Sequence, residues 1–291
     1  MNSRGATGFF FVLPLLLGVV FFMVVPAVTA VGLSFCRWSL TAAPEWVGGL
    51  NYQSLLGVNT LKPDPLFCQA LFNTLVISLV VPVQVGGSFV LACFLNHRSG
   101  WRRFLRLVVF IPTLVSPIAL YIMWRALFNC DVGLLARLLM LVGIDSPLWL
   151  DDPLWSKPAV MLVLLWESVG GFQMLFFLAG LRQIPEQLHD MARLDGLGMG
   201  YRVRDIYWPW LKSLVGFNLC LGFLGAVQGG FEVAYIMTGG GPLRSTTTLS
   251  YFMFENSFQW QRLGVGAAVG MIMFLLVLPL IVVRGRRKTH G

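Results

Sequence analysis

The sequence predicts an all-α polytopic membrane protein with six transmembrane helices, on three observations. Apolar residues make up 57% of the 291-residue chain and Asp, Glu, Lys and Arg only 12%, against roughly 25% charged residues in a typical soluble domain. Mean hydropathy is +0.76. The few charges are bunched, and the gaps between them suit helices across ~30 Å of hydrocarbon, each needing about 20 residues. This balance excludes a soluble enzyme, a secreted disulfide scaffold and a disordered tail.

The spans follow the gaps in order. Gly8–Leu33 lies between Arg4 and Arg37. Its apolar run exceeds the about 7–15 residues of a signal-peptide core, so a retained span is expected. Cys68–Leu95 lies between Asp64 and Arg98, and Leu107–Trp124 fits between Arg106 and Arg125 as one short span. Pro158–Leu181 follows Lys157 and is interrupted only by Glu167. Residues 213–237 follow Lys212 and are interrupted only by Glu232; Leu263–Val283 lies between Arg262 and Arg284. The apolar Leu134–Gly143 is too short to cross and contains Arg137, so it is expected to form an interfacial or packed helix outside the bilayer. Residues 1–291 thus read as one transmembrane domain.

Orientation comes from Lys and Arg, which favour cytoplasmic loops. With both termini on one face, that face takes fourteen of the 21 and the other face seven. Both termini are therefore expected in the cytoplasm. The net charge of +8 and pI near 9.6 are then topological, and a nucleic-acid partner loses support.

Catalytic chemistry finds no foothold. None of the four lysines follows a glycine, so no GxxxxGK[ST] phosphate loop exists. There is no HExxH, only three histidines (97, 189 and 290), and five cysteines without a CxxC. No catalytic residue, metal site or disulfide framework is expected. What remains is passage: a channel, a secondary transporter, or the membrane part of a pump whose engine is another chain.

The stretch 182–211 narrows the choice. Pro185 suits a first helical turn, and Glu186 complements the positive end of the dipole there. Leu188, Met191, Ala192 and Leu194 make an apolar stripe, with Asp190 and Arg193 off it. Gly196 ends the helix and permits φ > 0; a second short helical stretch is expected up to Pro209. Periodicity alone fits a helix pair resting on lipid headgroups equally well.

From Ile184 to Leu211 the chain resembles the EAA loop of permease subunits of binding-protein-dependent ABC importers. It is most similar to the carbohydrate-uptake branch that includes the maltose and glycerol-3-phosphate permeases. It keeps Ile184, Pro185, Leu188, Ala192, Asp195, Gly196, Ile206, Pro209 and Leu211. It departs in Asp190-Met191 for Glu-Ala, Leu197 for Ala, Arg204 near the usual aromatic and Trp208 before the proline. Gly49–Tyr52, Asn73–Leu75, Ile111-Pro112, Leu127–Asn129, Leu178–Leu181 and Thr238–Pro242 extend the resemblance along the chain.

The resemblance implies a type I ABC importer permease fold in a bacterial cytoplasmic membrane. It implies that Glu186, Asp190, Met191, Ala192, Asp195 and Gly196 couple to an ATPase groove. The implied partners are a second homologous permease, two ATP-binding cassette chains carrying ATP and Mg, an extracytoplasmic solute-binding protein and membrane lipid. No cofactor is expected on this chain.

Carboxylates at membrane depth cost at least ~2.5 kcal/mol on insertion scales and so need partners or a wet cavity. Glu167 and Glu232 are two such groups. With Gln173, Gln228 and Trp166 they offer acceptors and an apolar platform for a sugar, although structural pairing within the protein would also satisfy them. The resemblance places sugar contacts near Thr113–Pro117, Glu167–Gly170 and Phe223–Gly230. The candidate path is therefore Thr113, Ser116, Trp166, Glu167, Gln173, Gln228 and Glu232. Val227 and Gly230 stand where the maltose permease has asparagines, so the particular sugar is not read from the motif. A glycerol-3-phosphate or glycerophosphodiester importer is the alternative, but no Lys or Arg interrupts a span interior. A stand-alone secondary transporter would show an internal repeat, and none is evident.

Two further expectations concern glycines. Gly266 and Gly270 form a GxxxG suited to close helix packing. Gly239–Gly241 and Pro242 end the fifth span in φ > 0 turns, leaving Ser245–Thr248 as a surface for binding-protein docking or as a plain connection.

Overall fold

The computed structural model describes residues 3–39, 41–58, 62–96 and 99–287, with the side chains of 3–8, 10, 189, 193 and 281–287 outside that description. Arg98 and Lys288, both used in the orientation count, lie outside the described residues. The structure is mostly helical and divides into two compact units, Met1–Phe67 with Phe252–Leu276, and Cys68–Tyr251 with Val277–Gly291.

In the first unit the apolar rod Phe11–Ser34 passes through a π-helical turn, Val20–Val24. A two-residue antiparallel ribbon, Cys36–Arg37 with Glu45–Trp46, follows it. Asn51, on the short helix Leu50–Leu56, closes the rod's end. Its Nδ2 donates to the carbonyls of Ser34 (2.8 Å) and Cys36 (2.9 Å), and the Tyr52 hydroxyl meets Ser34 Oγ at 2.7 Å. Asn51 thus satisfies carbonyls at and just beyond the helix end, and Tyr52 holds the Ser34 side chain beside them. Gly266 and Gly270 pack on Met253 and Ser257, as the GxxxG spacing predicts.

Among the described residues of the second unit, apolar clusters lie toward opposite ends of its long helices. One gathers Val81–Leu95, Met174–Leu181, Ile184, Tyr207 and Leu211. The other gathers Ile77, Leu120, Tyr121, Phe128, Ala159, Val160, Val163, Val233 and Met237. Polar side chains of the second span hold the fourth between them. Gln84 Nε2 donates to the Leu164 carbonyl and Ser88 Oγ to the Val169 carbonyl, both at 2.9 Å.

Three expected span boundaries need correction. Leu107–Trp124 is not one helix: Gly100–Leu114 and Pro117–Leu127 meet at 96°. Pro117 disfavours the α conformation at the residue before it, and Ser116 accordingly sits at ψ 130. The fourth helix starts at Pro153, N-capped by Asp152, and not at Pro158. Lys157 is carried inside it with its ammonium 5.2 Å from the Phe72 ring centre, so a charge gap misplaced that end. The fifth runs unbroken from Met199 to Thr238. Pro209 does not stop it, because it falls in the first α turn directly after the π-helical Arg202–Tyr207, where a missing N–H breaks no α-type bond. The segment Leu134–Gly143 forms a short helix, Leu134–Leu141. Leu135 packs on the second cluster, while Leu138, Met140 and Leu141 stay exposed.

Candidate functional site

The break in the third span meets a break in the fourth. Helices Pro153–Val169 and Phe172–Leu181 are separated by Gly170 and Gly171. A Cβ at Gly170 would overlap the Val109 side chain and carbonyl, and one at Gly171 would lie 2.9 Å from Thr113 Oγ1. Only glycines let the two backbones approach this closely. Thr113 Oγ1 is buried there without a hydrogen-bond partner.

One turn before that crossing is a polar centre. The Tyr121 hydroxyl donates to Glu167 Oε2 at 3.1 Å, and Glu232 lies within electrostatic reach of both. Among the described residues no Lys or Arg pairs with Glu167. Trp166 is exposed and meets Trp124 edge-to-face, centroids 5.4 Å apart. Carboxylate oxygens, a phenol and an indole side by side can accept hydroxyl hydrogens and stack a sugar face.

The structure does not gather every candidate. Thr113, Trp166, Glu167 and Glu232 lie around the two breaks. Gln173 sits one layer over, its Oε1 3.4 Å from Ser88 Oγ. Ser116 is exposed at the break without a capping bond. Gln228 is exposed on the fifth helix, and no described contact ties it to the Tyr121–Glu167 pair. Tyr121 was not anticipated, although a hydroxyl inside a span one turn after Pro117 signals a buried partner. Gly230 packs against Thr248, whose Cγ2 lies 2.9 Å from where its Cβ would be. No longer side chain fits there.

The loop after the fourth span forms helix Glu186–Leu194, with Glu186 in its first turn. Gly196 adopts φ +66, as expected of the residue that ends it. The Leu197 amide donates back to the Ala192 carbonyl at 2.9 Å, the long bond of a Schellman close. The apolar stripe splits. Leu188 packs on the first cluster and Ala192 is buried, whereas Met191 is 60% and Leu194 88% exposed. Asp190 and Asp195 are exposed beside them.

The outer loop overturns an expectation. Ser245, Thr246, Thr247 and Thr248 are buried, 5% exposed or less, and offer no docking surface. Asn73 Nδ2 donates to the carbonyls of Arg244 and Thr247, and Thr74 Oγ1 accepts from the Leu249 amide. Ser245 Oγ lies 2.8 Å from Ser156 Oγ, and Thr246 Oγ1 bonds the Gly241 carbonyl. These hydroxyls satisfy an irregular, buried backbone. Positive φ occurs at Gly239 and Gly240 but not at Gly241. Gly240→Ala should cost about 1–3 kcal/mol, since its Cβ would also sit 2.5 Å from Tyr251 Cε1. A thermal midpoint in detergent lowered by several degrees is the expected result.

Comparison with known proteins agrees with this architecture. Residues 84–286 match the family described as binding-protein-dependent transport system inner membrane component. The probable ABC transporter permease protein YurN of Bacillus subtilis is 30% identical, covering 96% of this chain and 95% of its own. The trehalose/maltose transport system permease protein MalF of Thermococcus litoralis is 32% identical, covering 95% and 91%. In fold, the chain superposes with TM-score 0.85 at 20% identity on a bacterial ABC transporter involved in import of the acidic polysaccharide alginate, covering 99% and 98%. The matched family segment contains the crossing of the broken spans, the Tyr121–Glu167 centre and the helix closed by Gly196, and the chain belongs to the inner membrane components of binding-protein-dependent transport systems.

Proposed function

We propose that this chain forms half of the translocation path of an ATP-driven importer for a neutral, hydroxyl-rich sugar. A second homologous permease supplies the other half, an extracytoplasmic binding protein delivers the cargo, and two ATPase chains holding ATP and Mg supply the energy. The chain itself catalyses nothing. The observation that carries this reading is the helix Glu186–Leu194, anchored inward by Leu188 and Ala192 while Met191 and Leu194 face outward. An apolar face on a rigid, glycine-closed rod suits a protein groove, and nucleotide-driven closure of that groove would move the spans. Glu186, Asp190 and Asp195 supply charged register beside it.

On the cargo side, the Tyr121–Glu167 pair and Trp166 accept hydroxyls and stack a ring at the crossing of the two broken spans. Among the described residues no Lys or Arg is paired with Glu167, and Arg125, the nearest basic side chain on the Tyr121 helix, is turned to the Ile236 carbonyl. A carboxylate without an ion pair disfavours an anionic cargo, which sets the sugar reading above the glycerol-3-phosphate one. Glu167→Gln removes the charge and keeps the shape and one acceptor. Uptake should fall about tenfold, as expected for loss of a charge-assisted hydrogen bond of about 1.5 kcal/mol, with the amount of assembled complex unchanged. Unchanged uptake would take Glu167 out of the path.

The function itself is tested by reconstituting the tagged chain with the proteins that co-purify with it. Labelled sugar should enter proteoliposomes only with ATP, the ATPase chain and loaded binding protein. Uptake by this chain alone, driven by an ion gradient, would replace the proposal with a secondary transporter.

A further inference from the structure

Where the third span begins, three arginines gather with no ion-pair partner among the described residues. Helix Gly100–Phe110 is N-capped by Ser99, whose Oγ accepts from the Arg102 amide. Arg106 lies within electrostatic reach of Arg182, at the end of helix Phe172–Leu181, and of Arg103. Arg103 and Arg182 are exposed and Arg106 is part-buried. The ion pairs among the described residues, Arg37 with Glu45 and Arg204 with Asp205, involve none of the three. Arg106 Nε donates to the Arg102 carbonyl at 3.3 Å. Like charges held together beside hydrocarbon call for an anion from outside the chain.

The same helix says what kind of anion. Leu105 packs inward on the cluster around Val85–Leu95. Trp101, Phe104 and Leu107 form an exposed arc at helical spacing, 68%, 55% and 63% exposed. The Trp101 and Phe104 rings lie 5.9 Å apart. On the helix surface Arg103 borders this arc beside Leu107. An occupant that meets both surfaces is anionic at one end and apolar along its length. A soluble anion leaves the arc in water, and an acidic protein surface leaves it without an apolar partner. Tryptophan at this position marks the membrane interface. The Lys and Arg count places the end in the inner leaflet, where anionic lipids concentrate.

We propose that Arg103, Arg106 and Arg182 bind the phosphate headgroup of an anionic phospholipid of the inner leaflet, its acyl chain lying along Trp101, Phe104 and Leu107. Native mass spectrometry of the full chain, released from micelles with equimolar phosphatidylglycerol and phosphatidylcholine, tests the site. Phosphatidylglycerol should be retained at least about tenfold over phosphatidylcholine, because each basic residue beside an anionic surface contributes about a factor of five. The triple variant Arg103→Gln, Arg106→Gln, Arg182→Gln should bring that ratio near unity with an unchanged helical spectrum. The corresponding triple lysine variant should keep most of the preference.

Equal retention of the two lipids by the wild-type chain would overturn the site, as would an undiminished preference in the glutamine variant. Displacement of the lipid by millimolar inorganic phosphate would show a free-anion site instead. Equal lipid retention together with loss of ATPase binding in the glutamine variant would make the arginines a protein contact, and the lipid site would fall.

Discussion

Gly170→Val should abolish transport by preventing assembly of the path. The new side chain would occupy space held by the Val109 carbonyl and side chain. A carbonyl on a neighbouring helix cannot rotate away as a flexible side chain can. Forcing the two broken spans apart should cost about 3 kcal/mol, the upper end of the usual overpacking range, a large share of a membrane domain's margin. It would also pull Tyr121 and Glu167 out of hydrogen-bonding distance. The expected result is a chain that inserts but is recovered at a small fraction of wild-type yield, with no stable complex. Gly229→Val on the fifth helix serves as control, because nothing lies within 4 Å of its Cβ position. A Gly170→Val complex with wild-type yield and melting point would show that the close crossing is not needed.

The second large effect is expected at Gly196. No atom lies within 4 Å of its Cβ position, but its φ is +66. A β-branched side chain there is opposed by backbone strain alone, about 1–2 kcal/mol. Gly196→Val should open the turn, break the Leu197–Ala192 bond and swing Met191 and Leu194 off their line. ATPase stimulation by loaded binding protein should drop about tenfold or more, in keeping with that strain, while insertion and assembly are kept. Gly196→Asn, which tolerates the left-handed region better, should recover part of the stimulation.

These two glycines show what was legible in the sequence. Gly196 is legible locally, because a glycine after a periodic apolar stripe signals a helix stop. The packing role of Gly170 is not legible locally, because the need for it lies in Val109, some sixty positions away. The same contrast holds for the spans. Charge gaps located the apolar helices, since insertion energy depends on composition alone. They missed the 96° bend at Val115–Ser116, which follows from Pro117, and the early start at Pro153, which follows from the Asp152 cap. Long-range polar pairing was the least visible. Nothing near Tyr121 in sequence names Glu167 as its partner, and Ser245–Thr248 looked solvent-facing until Asn73 and Thr74 were found holding their backbone.

The apolar stripe was right in kind and incomplete in direction. Spacing placed Leu188, Met191, Ala192 and Leu194 near one another, but it cannot tell a face turned inward from one turned outward. Leu188 and Ala192 anchor the helix, and Met191 and Leu194 remain for a partner. Headgroups and a protein groove are the two environments such a face can meet.

A photoreactive benzophenone side chain in place of Leu194 separates those environments directly. On irradiation of membranes containing the whole transporter, the account predicts one major product, with the mass of this chain plus the ATPase chain. Its yield should change when ATP is bound without hydrolysis. Cross-linking to lipid alone, with no nucleotide dependence, would contradict the coupling role and return the helix to the membrane surface.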